Sequence, residues 1–74
     1  MKITPLYEAH APDCRDESLM LTLDVGEHDG QVAIGLRRTD DTCSHRMCLL
    51  DVDEARRLAA SLLEAISHAD AKLQ

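Results

Sequence analysis

The sequence has very little of the aromatic material that usually fills the core of a small domain. It contains no Phe and no Trp, and Tyr7 is the single aromatic residue among 74. A chain of this length buries only about 60 to 65% of the surface that its unfolded form exposes. We therefore expect a thin aliphatic core, and we expect self-association as a homodimer to stabilise it.

Disulfide and membrane-spanning patterns are also missing. The 3 cysteines, Cys14, Cys43 and Cys48, cannot all pair within one chain, and no signal-peptide pattern is present. No apolar run approaches the roughly 20 residues that a helix needs to cross a bilayer. We expect a cytoplasmic protein without disulfides and without a membrane partner.

Positive charge is scarce. The chain has 8 Lys and Arg against 14 Asp and Glu, which gives a net charge of −6 at pH 7. This balance opposes the phosphate contacts that dominate nucleic-acid affinity, and no aromatic platform exists for base stacking. We expect no nucleic-acid partner, unless arginines 37, 38, 46, 56 and 57 converge on one patch. A basic protein would suit such an acidic surface better.

The middle of the chain has the alternating pattern of β-strands. Segment 18–25 places Leu19, Leu21, Leu23 and Val25 on one face and Met20, Thr22 and Asp24 on the other. After a Gly26–Gly30 turn, segment 31–38 resumes the pattern with Val32, Ile34 and Leu36. After a 39–42 turn, segment 43–50 is expected to place Met47 and Leu49 on the same buried face, with Cys43 and His45 sharing their parity.

The first residues, 1–16, are expected to form an irregular arm. Pro5 and Pro12 each remove a backbone donor and favour extended conformations in the residues before them. Ile3, Leu6 and Tyr7 leave open a short extra N-terminal strand at the edge of the sheet.

The last third, residues 51–73, predicts a capped amphipathic helix. Asp51 is placed to cap the first turn, and Glu54 could complete a capping box. Pairs at i,i+4 spacing, Asp53 with Arg57 and Glu64 with His68, follow on the polar face. An apolar stripe recurs every three or four residues, at Val52, Ala55, Ala59, Leu62, Ile66, Ala69 and Leu73.

These elements predict one α+β domain. We expect a three-stranded antiparallel meander over 18–50, followed by one long C-terminal amphipathic helix packed on one sheet face in the order β-β-β-α. The helix should cover the face that carries Leu21, Leu23, Val32, Ile34, Met47 and Leu49.

Chemistry-bearing residues form only one cluster in the sequence. Cys43, His45 and Cys48, with Cys14 upstream, offer thiolate and imidazole ligands that zinc prefers, but the spacing C-x-H-x-x-C is not that of a zinc knuckle. Arg46 could lower the pKa of a neighbouring thiol. A zinc-dependent or thiol-dependent module is therefore an alternative, while the main expectation is no metal, no cofactor and no catalytic residues.

The stretch LLDVDEARRLAASLLEAISHAD, residues 49–70, resembles the C-terminal helix of many small bacterial proteins. The strand-strand-strand-helix order is similar to the front half of antitoxins that pair with RNA-cleaving toxins, although the aromatic-rich strands of those antitoxins are missing. The net charge and the small size of the chain leave open a second alternative, an acidic antitoxin-like inhibitor of a basic enzyme.

Our main expectation from the sequence is a small bacterial or phage-type accessory protein that acts as a non-enzymatic interaction module. Two routes to its homodimer are open. An edge strand could pair with its symmetry mate, or the helices could pack through Ala55, Ala59, Ala60 and Leu63.

Overall fold

Four antiparallel strands and one helix make up the fold. The computed structural model describes residues 1–73. The elements are β1 (Thr4–Pro12), β2 (Met20–His28), β3 (Gln31–Arg38), β4 (Asp41–Leu50) and α1 (Val52–Lys72). The strands lie in one sheet in the order β1-β2-β3-β4, so each strand pairs with the next one along the chain. The predicted α+β meander with a C-terminal helix is confirmed, and the strand left open at the N-terminus is present.

The expectation of an irregular arm over 1–16 is wrong for the nine residues of β1. β1 pairs with β2 along its length, with Pro5 opposite Gly26 and Pro12 opposite Met20. Both prolines are tolerated because β1 is an edge strand with a neighbour on one side only. The pairing is irregular between Pro5 and Tyr7, which makes Leu6 the residue of a bulge.

The connection between β1 and β2 is held by local hydrogen bonds. The Asp16 carboxylate accepts from the Ser18 hydroxyl at 2.6 Å and from the Ser18 amide at 3.2 Å. These bonds hold the pKa of Asp16 below its ordinary value of 3.8. At pH values above the pKa that Asp16 has in the unfolded chain, the carboxylate therefore stabilises the turn. This stabilisation is lost as the pH falls through the lower pKa that Asp16 has in the folded chain.

The β2–β3 turn is tighter than the expected Gly26–Gly30 segment. Strand pairing continues to His28 opposite Gln31, which leaves Asp29 and Gly30 as a two-residue turn. Both residues have positive φ, 55° for Asp29 and 82° for Gly30, as a type I′ hairpin turn requires. Gly26 consequently lies inside β2.

The register of β4 differs from the expected one. Arg38 pairs with Asp41, and continuing that register would place Met47 opposite Val32 on the predicted buried face. Between Leu36 and Arg38 the register shifts, so that Leu50 lies opposite Val32 and Cys48 opposite Ile34. The Ser44 hydroxyl accepts from the Arg38 amide at 3.0 Å and donates to the Asp41 carbonyl at 2.8 Å, which satisfies backbone groups at this irregularity.

This shift corrects the predicted face of the sheet. Met47 and Leu49 lie opposite Gly35 and Ala33, on the face away from the aliphatic side chains of β2 and β3. At the irregularity, β4 has an odd number of residues more than β3. Every later residue of β4 therefore lies on the opposite face from the one that unbroken alternation predicts. His45 lies on the same face as Gly35, as its contact with that glycine shows.

The start of α1 follows the capping prediction. The Asp51 side chain accepts from the amide of Glu54 at 2.8 Å. The Glu54 carboxylate is engaged by Arg57, and Asp53 pairs with Arg56 at 3.1 Å, so the first acids pair at i,i+3 spacing and the predicted Asp53–Arg57 pair is wrong. His68 lies 3.9 Å from Glu64, at the predicted spacing.

The helix α1 lies against only part of the sheet. The helix packs against β3 and β4, and Ala55 is the one residue of Val52–Lys72 that is even half-buried. The molecule is correspondingly flat, with extents of 43 × 32 × 16 Å. Most of the apolar stripe of the helix therefore contacts no part of its own sheet.

Replacing Asp51 with Ala should lower the free energy of unfolding by about 1 kcal/mol, because the Glu54 amide loses its acceptor. Asp53→Ala is the matched control, since it removes an acid from the same turn but leaves the cap. Urea denaturation followed by circular dichroism measures both variants. Equal losses for the two would show that charge near the helix start, not the cap, provides the stabilisation.

Candidate interaction surface

The strand register divides the sheet into two faces of different composition. We call one the aliphatic face, which carries Leu21, Leu23, Val25, Val32, Ile34, Leu36, Cys48 and Leu50. We call the other the polar face, which carries Thr22, Asp24, Gly26, Ala33, Gly35, Arg37, His45, Met47 and Leu49. The two faces differ in how far the chain covers them.

Thr22 is the most deeply buried side chain of the polar face, with an exposed fraction of 0%. Its hydroxyl lies 2.7 Å from the Thr39 hydroxyl and 3.0 Å from Nδ1 of His10. The paired Arg37 places its guanidinium on the carbonyl of Thr39 at 3.0 Å. A buried hydroxyl with two partners is stable in such a place, so polar groups close this part of the face.

Two glycines let other groups pack closely against the middle of the polar face. A Cβ at Gly26 would lie 2.6 Å from the Thr4 carbonyl oxygen and 2.6 Å from Cγ2 of Ile3. A Cβ at Gly35 would meet the Asp24 carboxylate and, at 2.7 Å, Nε2 of His45. The groups nearest to Gly35 are thus two side chains, whereas a backbone carbonyl lies close to Gly26.

His45 and Asp24 meet over Gly35. Nε2 of His45 lies 3.8 Å from the Asp24 carboxylate, and the two side chains are about one-third exposed. Within residues 1–73 this Nε2 is buried without a hydrogen-bond partner. The pair forms an ion pair only when the imidazole is protonated.

The aliphatic face has no comparable cover. Leu36 is 47% exposed and Leu23 is 40% exposed, although both are large apolar side chains at the centre of a sheet. An open groove of about 270 Å³ runs between β3 and β4 along Ile34, Leu36, Arg46 and Cys48. A second groove, of about 320 Å³, lies where Leu50 faces Leu58 and Ser61 of the helix.

The helix leaves its own apolar stripe open. Leu62 is 55% exposed and Ile66 is 54% exposed, while Leu58, beside Leu50, is covered more. Of the predicted dimer residues, Ala55 is half-buried near the sheet, whereas Ala59, Ala60 and Leu63 are exposed. We call the exposed residues Leu62, Leu63, Ile66 and Ala69 the helix stripe.

The overall dimensions show how much surface is left uncovered. The chain exposes 5999 Å², whereas a folded monomer of its mass exposes about 4,500 Å². Its radius of gyration is 14.1 Å, against about 11 Å for a compact chain of this length. A single copy therefore exposes about 1,500 Å² more than a typical monomer.

The structure does not bring together the residues that the sequence offered for metal or thiol chemistry. Cys14, Cys43 and Cys48 are free and exposed. Within residues 1–73, no three His, Cys, Asp or Glu side chains are grouped so that they could hold a metal ion. Cys48 instead lies on the aliphatic face opposite Ile34, a place that the strand parity in the sequence did not predict.

The arginines that could have formed a nucleic-acid patch are spread over the molecule. Arg37 lies on the polar face, and Arg46 pairs with Leu36 on the aliphatic face. Arg38, Arg56 and Arg57 form ion pairs with Asp40, Asp53 and Glu54. No helix within residues 1–73 combines the length and the hydropathy that a bilayer crossing requires.

Comparisons of this chain with protein family models, with curated proteins and with solved structures gave no match.

Gly26→Ala should destabilise the fold by about 1 to 3 kcal/mol, because the new methyl meets the Thr4 carbonyl and backbone moves only at a cost. Gly35→Ala is the matched control: the groups it displaces, Asp24 and His45, are side chains that can turn aside. Chemical denaturation of both variants measures the difference. A larger loss for Gly35→Ala would contradict this description of the polar face.

Proposed function

We propose that this protein is a non-enzymatic protein-interaction module of the cytoplasm, an accessory protein of bacterial or phage type, and that it works as a homodimer. The observation that carries the proposal is the excess of exposed apolar surface in one copy. Five large apolar side chains on the aliphatic face and the helix stripe are 40 to 68% exposed in one copy: Leu23, Leu36, Leu62, Leu63 and Ile66.

The amount of exposed surface suits a second copy. An excess of about 1,500 Å² per chain corresponds to about 3,000 Å² over two chains, within the range of obligate homodimer interfaces. Interfaces of that class are apolar and resemble a domain core cut in half.

The grooves support binding between proteins more than catalysis. Each is shallow and combines apolar with charged side chains, Leu50 and Leu58 with Glu54 and Arg57 in one and Ile34 and Leu36 with Arg46 in the other. The histidines at positions 10, 28, 45 and 68 lie on different elements. An apolar surface of this kind is typical of macromolecular contact.

Sedimentation equilibrium at micromolar concentration should give a particle of twice the 8.2 kDa chain mass. Ile66→Glu should weaken the association roughly tenfold or more, because the carboxylate would be buried in an apolar contact. Ser67→Glu is the matched control, since it adds the same charge one residue away on the polar side of the helix. An unmodified chain that sediments as a monomer would refute the proposal.

Salt distinguishes the homodimer from a complex with a basic partner. Apolar association of two acidic chains should hold or strengthen as NaCl rises from 0.05 to 0.5 M, roughly the range over which surface charges become screened. A complex held by the net charge of −6 should weaken steeply over the same range. Pull-down from the native host at both salt concentrations tests for a complex with a basic partner. A basic protein that is captured only at low salt, with no self-association of the chain, would favour the acidic inhibitor.

A further inference from the structure

We propose that the homodimer forms by reciprocal docking, in which the second half of each helix, residues 62–72, lies across the aliphatic face of the other copy. This inference rests on the proposed function, and it names the partner surface and its geometry.

The aliphatic face needs a cover that its own helix does not provide. The helix packs against β3 and β4, next to Leu50, and leaves Leu23 and Leu36 exposed. On the polar face, Ile3 lies over Gly26, and Asp24 and His45 lie over Gly35. The large apolar side chains exposed on that face, Met20 and Leu49, are near strand ends, whereas Leu23 and Leu36 are exposed in the middle of the aliphatic face.

The second half of the helix has the size and chemistry of that cover. Residues 62–72 span about 15 Å, and the outer strands of a four-stranded sheet lie about 14 Å apart. The helix stripe turns Leu62, Leu63 and Ile66 to solvent in one copy. Apolar helices pack on sheets through stripes of this kind.

Other dimer geometries leave one of these surfaces exposed. Helix-to-helix packing would cover the stripe but not Leu23 or Leu36. Edge pairing through β1 or β4 would cover neither surface, and stacking of two aliphatic faces would leave Leu62 and Ile66 in water. Reciprocal docking obeys two-fold symmetry, since each copy gives one helix and receives one, and it covers both surfaces in a single interface.

Crosslinking through single cysteines tests this geometry. In one chain, Cys14→Ser and Cys43→Ser leave Cys48 as the single cysteine. The other chain, labelled with ¹⁵N, has all three cysteines replaced by Ser and carries Ala69→Cys on the helix stripe. The two are refolded together and treated with a short bismaleimide, and mass spectrometry identifies the products.

The control is Ser67→Cys in place of Ala69→Cys. Both residues are small and exposed, and they are two positions apart, so they point about 200° apart around the helix. Sedimentation of each mixture before crosslinking establishes that the variants associate.

Reciprocal docking predicts a mixed product between Cys48 and Ala69→Cys, at roughly fivefold or more the yield with Ser67→Cys. A dimer that crosslinks Cys48 to Cys48, or that crosslinks both helix positions equally, would overturn the docking geometry but leave the homodimer intact. A monomer in sedimentation of the unmodified chain would overturn the proposed function itself.

Discussion

Leu23 and Leu36, in the middle of the aliphatic face, are exposed in a single copy, and this exposure limits how much apolar surface one chain can bury. A four-stranded sheet with no Phe or Trp must bury Leu, Ile and Val side chains to be stable, and one helix is the only other element available within residues 1–73. That helix meets the sheet along β3 and β4 and then leaves most of its own stripe in solvent. Apolar surface contributes roughly 25 cal/mol per Å² to stability only when it is removed from water. The exposed parts of the aliphatic face and of the helix stripe therefore do not stabilise a single copy.

The polar face shows how small residues allow close packing on a sheet without a second layer. Gly26 makes room for Ile3 and the Thr4 carbonyl at the start of β1, and Gly35 makes room for a carboxylate and an imidazole, while the Thr22 hydroxyl is satisfied by His10 and Thr39. Ala33 is buried on the same face at 1% exposure. Small residues and local hydrogen bonds thus pack the middle of this face, whereas Leu23 and Leu36 stay exposed in the middle of the other.

Much of the fold could be predicted from the sequence because the relevant patterns are local. The alternation in 18–25 and 31–38, and the cap at Asp51, depend on neighbouring residues and are present in the structure. The face of Met47 and Leu49 was predicted wrongly because the β4 irregularity near Ser44 shifts the register, and alternation alone does not mark such a shift. The N-terminal strand could only be left open beside an irregular arm over 1–16, because its prolines are acceptable only on an edge, which is a property of the sheet order.

An isotope-filtered nuclear Overhauser experiment tests whether a second copy covers the aliphatic face. Chains with ¹³C-labelled methyl groups would be mixed with unlabelled chains under conditions where they exchange. If a second copy lies on this face, contacts are expected between the Ile66 methyl groups of one copy and Leu23 or Leu36 of the other. A spectrum in which every contact to those leucines arises within one chain would contradict it.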